Sequence, residues 1–129
     1  MRSPAIDVKD VLDDAALGTF GTDLFVSKLP DSPDACVCVF DTGGFAPESG
    51  YVYERPTVQV QVRGAVGAYE AAYNKAVAVK NALHDLHNQS WGVSRYIGIW
   101  AMSDVLHLGY DDKNRPLFSV NFRIHRTDI

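Results

Sequence analysis

Residues 55–86 read RPTVQVQVRGAVGAYEAAYNKAVAVKNALHDL, and this stretch decides the fold. Its first part alternates strictly: Val58, Val60 and Val62 lie on one side, while Thr57, Gln59, Gln61 and Arg63 lie on the other. A two-residue period is that of a half-buried strand, because successive side chains point to opposite faces of a sheet. After Gly64 the period changes. Tyr69, Ala72, Ala76, Val79, Leu83 and Leu86 recur at steps of three and four, opposite Glu70, Asn74, Asn81 and Asp85, which predicts an amphipathic helix over 69–86. A strand with one apolar face, followed at once by a helix with one apolar stripe, predicts a sheet covered by helices on a single side.

The pattern repeats outward from this unit. At the C-terminal end, LFSVNFRIH turns Phe118, Val120, Phe122 and Ile124 inward and Ser119, Asn121, Arg123 and His125 outward. DLFVSK, CVCVFD and RYIGIWAM read as further strands, and LPDSPDA as a turn-rich loop. Ser3-Pro4 resembles a helix start, with Ser as cap and Pro in the first turn; Val8, Val11, Leu12 and Ala15 form the stripe, and Gly18 is the expected stop. HNQSWG reads as a turn. DTGGFAPESGYVYER and SDVLHLGYDDKNRP read as long connections around 43–54 and 103–116, the first expected to order only on assembly. The fold class is therefore α+β, a mainly antiparallel sheet of four to five strands with helices on one face, in one domain spanning 1–129.

Composition narrows the function. The net charge of −4 gives no general attraction to nucleic acid or anionic lipid. No apolar run reaches the roughly 20 residues of a membrane span, and MRSPAIDVKD lacks the apolar core of a secretory signal, which predicts a cytosol-like compartment. Cys36 and Cys38, two apart on one strand, diverge too far for a relaxed disulfide and are expected as buried free thiols.

Chemistry has little to stand on. Phe40-Asp41-Thr42-Gly43 resembles the aspartic protease signature, which would require a dimer to bring two carboxylates together. Gly44 departs from that signature, and a turn built from Asp and two glycines explains the segment. His84 and His87 could share a helix face, yet His107 and Asp85 are only loose further ligands, and a helix-terminal role accounts for them more simply. No catalytic residue, cofactor or metal is expected.

Taken in order, an N-terminal helix, LFVSKLPDSPD, a strand ending in DTGG, YERPTVQVQVRG with its helix, RYIGIWAMSD and RPLFSVNFRIHR resemble the tail terminators of long-tailed bacteriophages, some labelled minor capsid proteins. The resemblance implies a structural virion protein, assembled in the host cytoplasm. It implies a homohexameric ring that caps the tail tube, stops its elongation and meets a head connector or head-completion protein, with DNA passing through the lumen and no membrane involved. Arg63 and Arg123, beside Gln59, Gln61 and Asn121, are the candidate subunit-interface or lumen row. Asp41, Gly43, Gly44, Arg55, Asp111, Asp112 and Arg115 are the candidate partner-contact residues of the long connections. A head–tail joining adaptor of similar fold and a dimeric DTG-type protease are the alternatives.

Overall fold

The computed structural model describes residues 2–47 and 53–128. Residues 48–52, within the first long connection, lie outside them. The elements are α1 (Pro4–Asp14), β1 (Leu24–Val26), β2 (Cys36–Gly44), β3 (Tyr53–Glu54), β4 (Pro56–Arg63), α2 (Tyr69–Leu83), β5 (Leu86–Trp91), β6 (Ser94–Ala101), β7 (Leu106–Tyr110) and β8 (Pro116–Asp128).

Among the described residues, eight strands join one curled sheet, larger than the four to five strands expected. The long β8 is its spine. Along one side β8 pairs antiparallel with β4 and then β3; along the other it pairs with β6 and β7. Beyond β4 come β2 and a short parallel β1, and β5 forms a hairpin with β6. Three segments, one read as a turn and two as connections, thus contribute the strands β5, β3 and β7. β5 leaves His87, Asn88, Gln89 and Ser90 all exposed, so no alternation marks it. β7 is too short and too exposed to show one.

The expected register holds. Val58, Val60, Val62, Phe118, Val120, Phe122 and Ile124 are all buried, packed with Val8 and Leu12 of α1 and with Ala72, Ala76, Val79 and Leu83 of α2. Each fully buried Phe or Leu contributes about 1.5–3 kcal/mol through apolar surface removed from water. α2 ends at Leu83, short of the expected Leu86, because Asp85 takes a positive φ of 64° and the chain turns into β5. His84 accepts a hydrogen bond at Nδ1 from the Ala101 amide, 3.0 Å away. His87 lies on a strand, so the two histidines do not share a helix face. α1 starts as expected, the Ser3 hydroxyl accepting from the Ile6 amide at 3.3 Å. It stops at Asp14, before Gly18, where Ala16 adopts φ 60°.

A buried polar network pins α1 to the sheet. Asp7 is fully buried and accepts from the Tyr96 hydroxyl at 2.6 Å and from Arg2. Arg126 reaches the Tyr96 hydroxyl at 3.3 Å, the Arg2 carbonyl at 2.8 Å and Glu54 at 2.8 Å. Burial, with Asp7 beside it, pushes the Tyr96 phenol well above its ordinary value, so it remains a proton donor. Cys36 and Cys38 are free and buried, and burial pushes the Cys38 thiol up to about 11.

Candidate functional site

Opposite the helices, the sheet presents the face expected to carry the polar row. Register places Gln59 beside Asn121 and Phe40, Gln61 beside Ser119 and Cys38, and Thr57 beside Arg123. Gln61 donates to the Gln59 side-chain oxygen at 2.9 Å, and the hydroxyls of Thr42 and Thr57 meet at 2.7 Å. Gln59, Gln61 and Asn121 are half-buried, and Arg123 is exposed. These four residues form one continuous, nearly neutral surface.

Arg63 does not belong to it. It is only 4% exposed, and its guanidinium donates to the carbonyls of Asp34 (2.8 Å), Pro30 (2.6 Å) and Pro33 (2.7 Å). The expectation that Arg63 stands open to solvent or to a neighbour is corrected: the 30–34 loop folds over the end of β4 and consumes its donors. Arg115 is likewise buried rather than a free loop cation. It donates to the Asp31 carbonyl (2.7 Å), to the Asp34 carboxylate (3.0 Å) and to Asp111 (2.7 Å). Asp111 in turn accepts from the Lys113 and Arg115 amides. Burial alone would raise Asp111; the bonds from Arg115 outweigh it and hold the carboxyl below its usual range. Lys113 does the same for Asp31 by hydrogen bond and charge. Asp112 alone of this group stays exposed without such a role. A loop read as merely turn-rich is therefore clamped by two arginines.

The other end of the face is built from DTGG. Asp41 is exposed, and its carboxylate accepts from the Ala5 amide at 3.0 Å, capping α1. Gly43 and Gly44 take φ of 87° and 128° at a bulge against β4, and a Cβ on Gly44 would lie 2.5 Å from the Arg55 carbonyl. Arg55 donates to the Ala46 carbonyl at 3.1 Å and covers the Phe45 ring.

Sequence reasoning missed the aromatic group at the margin of this face. Trp100 lies so close over Gly98 that a Cβ there would come within 2.3 Å of the indole. Arg123 stacks on the Trp100 ring at 5.2 Å, and His125 meets its edge at 5.0 Å. Tyr53 closes the group through a 2.6 Å hydrogen bond to His125 Nδ1. Burial, then the charges of Arg123 and Arg55, depress the His125 imidazole below its ordinary value. Among the described residues no cluster of His, Cys, Asp and Glu could hold a metal, and no helix is long and apolar enough to cross a membrane.

The sheet thus carries its helices on one side and, on the other, a hydrogen-bonding row of amides with one arginine. The fold is similar to a chain of the virion of a native gene transfer agent particle, with a TM-score of 0.75 at 17% identity, covering 97% of this chain and 95% of that one. No curated protein sequence matches the chain significantly. The family signature of the bacteriophage tail terminator protein matches residues 11–128, so the chain belongs to the tail terminator family, a family of structural tail proteins.

Proposed function

We propose that this protein forms a closed homohexameric ring at the head-proximal end of a phage-type tail, where it halts tube elongation and seats the head connector. It acts there by shape and contact, without catalysis, as part of the virion assembled in the host cytoplasm. The family match over 11–128 carries the reading, and the gene transfer agent virion chain of like fold agrees with it. Two distinct patches on each copy suffice for a ring, since a heterologous contact closes when its rotation divides a full turn.

In this reading the row of Gln59, Gln61, Asn121 and Arg123 lines the lumen. Amides offer donors and acceptors without fixed charge, and one arginine per copy touches passing DNA without holding it. A second reading, a dimeric aspartic protease, loses support because Asp41 is engaged with the Ala5 amide. Arg123→Glu tests the lumen directly. Rings of native mass should persist while DNA passage and infectivity fall. Loss of the ring with an intact subunit would instead place the row in a subunit contact, and full infectivity would return it to plain surface.

A further inference from the structure

α2 has two unlike flanks. Toward β2, Ala68, Ala71 and Ala72 leave an open cavity of about 220 Å³ walled by Leu17, Val37 and Val62. Toward β8 stand Tyr69 and Tyr73, both exposed at their outer sides, with rings 5.2 and 5.8 Å from Phe118. Next to them lies β7, which among the described residues pairs only with β8 and leaves its other edge open. Leu106, Leu108 and Tyr110 of this edge are 52%, 44% and 54% exposed. Its sequence, LHLGY, contains no proline, lysine or carboxylate of the kind that keeps sheet edges from pairing.

The hole and the edge lie at one level of the sheet. Val37 is the register partner of Val62, Val62 of Phe118, and Phe118 of His107 on β7. Two unsatisfied apolar features thus stand on opposite flanks of the same row, separated by β8 and β4. An isologous dimer would set like against like and leave one feature of each copy open. A ring requires the heterologous alternative, in which the edge of one copy meets the hole of the next. Size agrees, since a cavity of about 150 Å³ already admits a benzene ring, so this one holds a Leu or Tyr side chain. Lys75, Arg63 and Asp23 also stand at the wall of the hole, and the Lys75 ammonium donates to the Leu17 carbonyl at 3.2 Å.

We propose that the β7 edge and the tyrosine flank of α2 on one copy dock into the alanine-walled cavity of a second copy, and that this is the contact repeated around the ring. The inference rests on the ring reading and names its interface. It commits the occupant to this same chain.

Cysteines placed at Ala71→Cys and Leu108→Cys test it, both positions being exposed. Cys36 and Cys38 are buried with thiols pushed up, and unmodified protein treated in the same way is the control. With a short bis-maleimide, a mixture of the two single variants should give a cross-linked dimer that neither gives alone. The double variant should give a ladder ending in a closed ring. Rings of native mass without cross-linking in the mixture would overturn this interface and leave the ring standing. A protein that remains monomeric by native mass at every concentration would overturn the ring reading itself. Ala71→Trp provides an independent check on an exposed helix position: filling the cavity should abolish the ring while circular dichroism stays native, and a ring that survives would refute the docking.

Discussion

Replacing Arg63 by Ala separates the structure's account of this residue from the one its sequence suggests. Three charge-assisted hydrogen bonds of 2.6–2.8 Å run from its guanidinium to the carbonyls of Pro30, Pro33 and Asp34, and the side chain is almost wholly enclosed. Bonds to a charged donor are each worth about 1.5–3 kcal/mol when made. The loop can lift and rehydrate its carbonyls once the donor is gone, so the sum is not lost in full. The expected cost is about 2–4 kcal/mol, which lowers the midpoint of thermal unfolding by about 6–16 °C for a chain of this size. Arg63→Lys should recover only part of it, because an ammonium cannot spread its donors over three carbonyls in one plane. Urea unfolding of the isolated subunit measures the effect without reference to assembly. A loss below about 0.5 kcal/mol, the range of ordinary surface substitutions, would refute the clamp, above all if rings then failed to form.

The strands that repeat a two-residue period were legible: β4 and β8 alternate, and Val58 through Val62 and Phe118 through Ile124 announce it, while β2 was legible as the continuous apolar run Cys36–Val39, all of it buried. The helices were legible from their stripes and from Ser3-Pro4. β5 and β7 were not, because an edge strand need not bury a face; His87–Ser90 and Leu106–Leu108 are exposed without alternation. Arg63 shows a second limit. Alternation fixes which face its Cα belongs to, and so placed it rightly beside Gln61. What covers that face comes from Pro30–Asp34, about thirty residues earlier, and no local pattern encodes such a contact. The same holds for Asp41, whose role as a cap for α1 joins positions 36 residues apart. A motif read for its local turn chemistry was a tertiary device. The surfaces proposed for assembly are the least legible feature, since the cavity and the β7 edge exist only once α2 and β8 are packed.

Truncating Phe122 to Ala, in the middle of the buried row, should cost about 3–5 kcal/mol in urea unfolding through lost burial and a residual cavity; under 1 kcal/mol would contradict the register of β8. Asp41→Ala should remove a helix cap at a cost of about 1 kcal/mol and leave ring formation intact, whereas abolished function in a well-folded subunit would reopen a chemical role for this carboxylate. The 30–34 loop should also loosen in acid, and the direction follows from Asp31 and Asp111. Both carboxyls titrate below their ordinary value in the fold. Groups shifted that way add stability that is fully present above their unfolded value, near pH 4, and that is lost as the pH falls through their folded values. Amide exchange at Asp31, Ser32 and Asp34, corrected for its intrinsic pH dependence and compared with β4, should therefore be level from pH 7 to 5 and accelerate below about pH 4. Arg63 holds three backbone carbonyls that do not titrate in this range, so the loop should loosen without leaving the sheet. Asp111→Asn should bring part of that loosening to neutral pH and flatten the acid response. Loosening that already begins between pH 7 and 5, or an acid response unchanged in Asp111→Asn, would mean that the Arg115 ion pairs do not hold this loop.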